Sequence, residues 1–268
     1  MDRPLVKTLL TMALLACFGA VIMRYQAVNS PQPLVTLLLA IVFLALFTLA
    51  AFGAGRPVWS WAGGGDRLTA GSLTIVLAAG AGVLMAAAAA ASLAGVLHPA
   101  VLIALALLAV ASGAHGLFRL SFQWRPSLPG ALRAPMAILV MAAAVTLPVT
   151  TVLSPFYDQF NYHLAFPFQW LQAGHLVVYP RHSYSFLASN MGLLYTYALA
   201  TVGSWGGQSL HWWMGALATL GAGALAGRLG GPRAGLWAGA IFAATPAVLV
   251  PATWAGADLG VAAFAAAA

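Results

Sequence analysis

Two aspartates, Asp158 and Asp258, are the side chains best suited to chemistry in this sequence. They are two of only four acidic residues in a chain of 268, and none of the four is a glutamate. Each lies beside an apolar run, where an unpaired carboxylate drawn into hydrocarbon is costly. Taken singly, each is explained as the N-terminal cap of a helix. Taken together, two carboxylates at one face of a membrane suit general-base work or the binding of a divalent cation.

The neighbours of Asp158 could assist such chemistry. A helix is expected from about Asp158, because Ser154-Pro155 is a good helix stop, and Tyr162 would then share a face with the carboxylate. Asn161 and Tyr162 supply hydrogen-bonding groups on either side of it. His163 begins a set of three histidines whose spacing matches no zinc signature, so hydrogen bonding at the interface is the expected role.

Arg181 is the cation nearest to this segment in the sequence. A guanidinium can hold a phosphate or pyrophosphate with two hydrogen bonds, and contact with lipid headgroups is an equally good explanation. The aromatic residues around Asp158 are typical of an interfacial belt that seats a loop at the membrane surface, and they could also line a sugar or lipid pocket. This set is Phe156, Tyr157, Phe160, Tyr162, Phe166, Phe168, Trp170 and Tyr179.

The composition indicates what class of protein holds these residues. Hydrophobic residues make up 62% of the chain and charged residues 6%, and the mean hydropathy is +0.94. A soluble domain carries roughly 25% charged residues, so the chain is predicted to be a polytopic integral membrane protein. Its net charge of +7 comes from single basic residues scattered between apolar runs. Basic residues spaced in this way are typical of loops that anchor a protein at the membrane surface. They form no continuous basic patch, so no nucleic-acid partner is expected. The single cysteine, Cys17, excludes an intramolecular disulfide.

Apolar runs long enough for helices alternate with short polar connections. A membrane crossing needs about 20 apolar residues, and the first run is interpreted as a retained span rather than a cleaved signal peptide. Asn190 to Val202 is too short to cross and is expected to be juxtamembrane or re-entrant. The last run stops after half a crossing, so the chain looks truncated at its C-terminus. The runs are Thr8 to Met23, Leu34 to Phe52, Leu68 to Val96, Pro99 to Phe118, Ala134 to Leu153, Leu210 to Leu229, Ala234 to Val250 and Leu259 to Ala268.

The expected fold is therefore all-α, a polytopic transmembrane helix bundle with an extracytoplasmic loop that contains juxtamembrane helices. Residues 1–133 form an N-terminal part of about four spans. Residues 134–268 form a second part with one span, a large loop over 154–207, two further spans and the start of another. With the N-terminus in the cytoplasm, all of the eleven basic residues except Arg24 and Arg181 fall on the cytoplasmic side. This bias places Asp158 and Asp258 at the extracytoplasmic face.

The second part resembles the GT-C glycosyltransferases, in particular bacterial proteins of the dolichyl-phosphate-mannose protein mannosyltransferase and aminoarabinose transferase type. The resemblance covers roughly residues 154–268 and depends on an ordered series of short motifs rather than on one strong motif. The series is Tyr157-Asp158-Gln159-Phe160-Asn161-Tyr162-His163-Leu164, Trp170-Leu171-Gln172-Ala173-Gly174, Tyr179-Pro180, Ser183-Tyr184-Ser185, Asn190-Met191-Gly192-Leu193-Leu194-Tyr195, Leu210-His211-Trp212, Arg228-Leu229-Gly230-Gly231, Thr245-Pro246 and Asp258-Leu259.

The resemblance implies a membrane glycosyltransferase in the bacterial inner (plasma) membrane. It would transfer a sugar from a polyprenyl-phosphate donor to a glycan, lipid or protein acceptor at the extracytoplasmic face. Asp158 would be the general base, and Asp258 would position the acceptor, the carrier phosphate or a divalent cation such as Mg²⁺ or Mn²⁺. Asn161, Tyr162, His163 and Arg181 would contact the substrates.

Two other functions fit the same residues. In a transporter or lipid-handling membrane protein, the two carboxylates would bind a proton or a coupling ion. In an inactive, truncated relative of the transferases, the motifs would serve packing alone. Sodium- or proton-dependent uptake would indicate the first of these, and failure to bind any polyprenyl phosphate would indicate the second.

Overall fold

The structure is a computed structural model that describes residues 33–66, 68–118, 132–152, 154–186 and 189–268. Within these ranges the chain is helical and contains no strand, as predicted for an all-α protein. A π-helical segment (Gln159–His163) and two 3₁₀ turns (Ser183–Phe186 and Pro251–Thr253) lie between the α-helices. The α-helices are α1 (Pro33–Trp61), α2 (Ala70–Leu93), α3 (Pro99–Phe118), α4 (Arg133–Val149), α5 (Ala165–Ala173), α6 (Asn190–Thr201), α7 (Ser204–Ala244), α8 (Pro246–Leu249) and α9 (Asp258–Ala267).

Three of these helices, α1, α2 and α3, are long and apolar enough to cross a membrane. On α1 the side chains of Leu38, Val42 and Leu46, spaced by four residues and therefore on one face, are about half exposed. An exposed apolar face of this kind suits contact with lipid rather than water. By length and composition alone, α7 together with residues 246–253, which follow it after a bend of 66°, is a fourth candidate.

The predicted spans differ from the observed helices in several places. Helix α1 continues past Phe52 to Trp61, and α4 has only 17 residues, so it falls short of a full crossing. Residues 234–250 are interrupted at Thr245, where the backbone is extended and the helical direction changes. The predicted span from Thr8 to Met23 lies outside the described residues.

Helix α7 reverses direction at Gly231. This residue has φ 81°, a left-handed backbone conformation that glycine adopts readily, and Pro232 follows it. A Cβ built on Gly235 would lie 2.6 Å from the carbonyl oxygen of Gly223. Twelve residues of continuous helix would separate these positions by about 18 Å. The two stretches of α7 therefore form an antiparallel hairpin, in which small residues let the backbones approach closely.

The helices have two distinct ends, and most of the basic side chains that the structure describes lie at one of them. At one end, named the loop end, Thr150 after α4 hydrogen-bonds Ser209 near the start of α7. Arg133 lies at the opposite end of α4, and Arg228 is about 30 Å along α7 from Gln208. This opposite end is named the basic end. There Arg228 lines a cavity with Trp59 and Thr69.

The two predicted parts of the chain pack against each other. Helix α7 packs on α2, and α6 packs on α2 and α3. Among the longest connections, the Tyr197 hydroxyl donates a hydrogen bond to the carbonyl oxygen of Leu84 at 3.0 Å. The Trp213 indole N–H donates to the Thr48 hydroxyl at 2.8 Å. The N-terminal helices thus support the segments that carry Asp158 and Asp258, and the division near residue 133 stays a prediction.

Candidate functional site

Asp158 and Asp258 line the same cavity at the loop end. The cavity has a volume of about 820 Å³, and Tyr162 and His163 also line it. Both carboxylates act electrostatically on both of these neighbours. The structure therefore brings together four of the six predicted site residues, although Asp158 and Asp258 are a hundred positions apart in the sequence.

Asp158 lies at the start of an irregular helical segment. After α4 the chain leaves helical geometry, and the Phe156 N–H donates to the Ser154 hydroxyl at 3.2 Å. From Gln159 the helix widens, because the Leu164 N–H donates to the Gln159 carbonyl five residues back, at 2.9 Å. Such π-helical turns are rare and occur frequently at functional sites. The sequence predicted a helix here but not its wider repeat.

Tyr162 is the direct partner of Asp158. Its hydroxyl donates a hydrogen bond to the Asp158 carboxylate, and its ring stacks on Tyr184 with centroids 4.5 Å apart. Burial, and after it the negative charge of Asp158, raise the pKa of Tyr162 from 10.0 to about 12. The phenol thus stays protonated at neutral pH and keeps donating to the carboxylate.

His163 packs against the ring of Tyr162, with ring centroids 4.2 Å apart. Burial lowers the pKa of His163 from its ordinary 6.5, and the charges of Asp158 and Asp258 oppose this shift without cancelling it. The imidazole is therefore mainly neutral at pH 7. In this state it offers one hydrogen-bond donor and one acceptor to a ligand and does not bind an anion by charge.

Asp258 begins α9, where a carboxylate in the first turn is favoured by the helix dipole. Within the described residues its side chain makes no hydrogen bond or ion pair. Its position therefore depends on the preceding segment, residues 250–257. That segment is tied to Asp158's side of the cavity by Trp254, whose ring stacks on Phe156 with centroids 4.2 Å apart.

Four fully buried side chains bind the backbone of residues 250–259. The Gln208 amide donates to the carbonyls of Val152 and Thr253, and the Ala255 N–H donates to the Gln159 side-chain oxygen at 2.8 Å. The Tyr195 hydroxyl donates to the Gly256 carbonyl. Buried His211 binds this segment at three further backbone atoms. The four side chains are Gln159, Tyr195, Gln208 and His211, each with 0% exposure.

The cavity is polar at one end and apolar at the other. Carboxyl, phenol and imidazole groups lie at its polar end. The rest of the wall follows one side of α9, where Val261, Phe264 and Ala265 line it together with Met85 of α2. No lysine or arginine of the described residues lines the cavity. The shape therefore suits a ligand with a polar head and an apolar tail.

Asn161 and Arg181 do not line this cavity. The Asn161 side-chain oxygen accepts a hydrogen bond from the His182 ring at 3.1 Å, so it holds the loop rather than facing the carboxylates. Arg181 is exposed at the loop end. Among the described residues no three histidine, cysteine or acidic side chains converge in a way that could hold a metal ion. A divalent cation at Asp158 and Asp258 would need further ligands from water or substrate.

Sequence reasoning did not identify the buried polar set as part of the site. Gln208 and His211 lie in an apolar helix, where an uncharged polar residue generally faces the protein interior and marks a functional or packing role. Their polar character within an apolar helix is the signal by which Gln208 and His211 could have been found. Gln159 carried no separate signal, because only the fold shows that it points away from the cavity and into the core. Comparisons of the chain with protein-family models, curated proteins and solved structures find no match.

Proposed function

We propose that this chain is a membrane glycosyltransferase of GT-C type, which transfers a sugar from a polyprenyl-phosphate carrier to an acceptor. The observation that carries the proposal is that Asp158 and Asp258 line one cavity with an apolar wall along α9. A lipid-linked sugar has the matching chemistry, since its head is hydroxylated and its tail is hydrocarbon. The two carboxylates also fit the pair of acidic residues that the motif resemblance implies.

The reaction would be an inverting displacement at the anomeric carbon. The acceptor oxygen forms a bond to that carbon, while the bond between the carbon and the carrier phosphate oxygen breaks. Asp158 takes the proton from the acceptor hydroxyl, and the phosphate leaves with the bonding electron pair. Asp258 accepts hydrogen bonds from sugar or acceptor hydroxyls. The Tyr162 hydroxyl holds the Asp158 carboxylate in place during the transfer.

The phosphate must lie away from the carboxylates, because like charges repel in a partly desolvated cavity. Arg181 is the basic residue that the structure describes at the loop end, and we assign it to the phosphate or to lipid headgroups. Asp158 or Asp258 could hold a divalent cation, which would supply the same charge compensation.

The loop end would face the extracytoplasmic side of a polytopic protein. Of the basic residues that the structure describes, Arg56, Arg133, Arg228 and Arg233 belong to the basic end, and Arg181 belongs to the loop end. Basic residues are enriched on the cytoplasmic side of membrane proteins. This orientation, in a bacterial inner membrane, would present the cavity to donors carried in the outer leaflet.

The test is transfer from labelled polyprenyl-phosphate sugars in membranes that contain the full-length gene product. Asp158→Asn should lower the transfer rate by about 100-fold or more, since a general base typically contributes that much. Asp66→Asn is the matched control, because Asp66 is an exposed carboxylate that pairs with Arg56 away from the cavity. Asp158→Asn with wild-type transfer would refute the assignment of the base. No transfer by the wild type with any polyprenyl donor would refute the function.

A further inference from the structure

We propose that His211 is a positioning residue that fixes Asp258 in the cavity through the backbone of residues 250–259. The inference deepens the proposed function, on which its catalytic consequence depends. His211 does not line the cavity, and it reaches the site only through the segment that it binds.

The ring of His211 bridges both sides of this segment. Its Nδ1 lies 3.0 Å from the Pro251 carbonyl oxygen and 2.9 Å from the Trp254 carbonyl oxygen. Its Nε2 lies 3.2 Å from the backbone nitrogen of Leu259, in the first turn of α9. One buried ring therefore joins the turn before Asp258 to the residue directly after it.

These partners fix the tautomer. Carbonyl oxygens only accept hydrogen bonds, so Nδ1 carries the proton and donates it. The Leu259 N–H only donates, so Nε2 accepts. His211 is thus a neutral imidazole with both ring nitrogens used. A substituted side chain that donates at the position of Nδ1 but has no acceptor at the position of Nε2 would leave the Leu259 N–H unpaired in a buried position.

Gln159 completes the connection to the other carboxylate. It directly follows Asp158 in the sequence, and its side-chain oxygen accepts the Ala255 N–H while its amide donates to Gln208 at 3.2 Å. The segment between His211's partners is therefore anchored to the residue next to Asp158. These bonds set the relative position of the two carboxylates, because the Asp258 side chain has no anchor of its own among the described residues.

The positioning role is tested by comparing two variants. His211→Leu removes the hydrogen bonds of both ring nitrogens, whereas His211→Asn can keep a donor to the two carbonyls. His115→Leu on α3 is the control, since His115 is exposed and far along the chain from this segment. Hydrogen exchange of the full-length protein in lipid nanodiscs reports on peptides that cover residues 251–262. The rate there should rise about tenfold or more in His211→Leu, less in His211→Asn and not in the control.

A rise confined to residues 251–262, with α2 unchanged, supports the positioning role. No rise, or an equal rise throughout the chain, would overturn it. Transfer assays provide the second readout: kcat should fall about tenfold in His211→Asn, and the same change in an Asp258→Asn background should cost nothing more, since His211 acts through Asp258. Additive losses would overturn the proposal. Absence of transfer in the wild type would refute the proposed function, and the exchange result would still decide whether His211 holds the segment.

Discussion

At the scale of single residues, uncharged polar side chains hold the segments that carry the two carboxylates of the site. Asp158 is held by the Tyr162 hydroxyl, and Asp258 has no side-chain partner among the described residues. The irregular backbone before Asp258 is satisfied by buried side chains from three other segments. Unpaired backbone groups at such a place would each cost about 1–3 kcal/mol. Neutral donors and acceptors provide this support without the cost of burying charge.

The ionisation of Tyr162 gives a prediction for alkaline pH. Its folded-state pKa of about 12 exceeds its ordinary value of 10.0. The protonated Tyr162 therefore contributes its full stabilisation to the folded state below the pKa of the unfolded state. This contribution is lost as the pH rises towards the pKa of the folded state. The thermal midpoint of the wild type should fall more steeply between about pH 10 and pH 12 than that of Tyr162→Phe, which has no phenol to ionise.

Thermal unfolding in detergent at several pH values measures this difference. Tyr157→Phe is the matched control on the same segment, because the Tyr157 side chain is 73% exposed. Its midpoint should follow the wild type with pH. Equal slopes for Tyr162→Phe and the wild type would show that Tyr162 is not held in the protonated state by its surroundings.

At the scale of helices, close backbone contact at glycine decides which helices pair. A Cβ at Gly80 in α2 would overlap the carbonyl oxygen of Ala51 in α1. Gly82, two residues further along α2, has no atom within 4 Å of the corresponding position. Without a strong hydrophobic driving force between helices in lipid, such close packing supplies much of the association.

Gly80→Ala and Gly82→Ala therefore form a matched pair for testing the α1–α2 contact. Gly80→Ala should destabilise the protein by about 1–3 kcal/mol, because the two helices must separate to accept the methyl group. Gly82→Ala adds the same group to open space and should leave stability unchanged or slightly raised. The midpoint of thermal unfolding in detergent compares them, and equal midpoints would contradict the close approach of α1 and α2.

At the scale of the whole molecule, the unequal number of basic residues at the two ends predicts how the protein sits in a membrane. The carboxylate cavity and Arg181 occupy the loop end, and the connection between α1 and α2 occupies the basic end with Arg56. By the positive-inside tendency we expect Ala62 on the cytoplasmic side and Gln172 on the other side.

Cysteine labelling tests this orientation with two exposed positions. In a Cys17→Ser background, Gln172→Cys should react with a membrane-impermeant maleimide in intact cells. Ala62→Cys should react only after the membrane is permeabilised. Labelling of both positions in intact cells, or the reverse pattern, would contradict the proposed orientation without affecting the arrangement of the site.

Much of the fold could be predicted because it depends on local sequence. The bounds of α3 and α6 were predicted to within one residue, since Pro99 starts one helix and the residues around Asn190 and Val202 bound the other. The break at Gly231 falls in the gap predicted between the apolar runs Leu210 to Leu229 and Ala234 to Val250. The break at Thr245 was not predicted, although Pro246 is a local signal for it, because the residue before a proline is biased towards an extended backbone. The wide turn after Gln159 was not predicted either.

The sequence by itself determined that the protein is helical, that several helices are apolar enough for a membrane, and that Asp158 and Asp258 lie beside apolar segments. Hydropathy and helical periodicity are local properties, so they can be read without the fold. Only the tertiary structure decided that the two carboxylates share a cavity and that Gln159 and His211 hold the segment between them. Those contacts join residues 96 and 48 positions apart, and no local pattern specifies which distant backbone atom a buried side chain will meet.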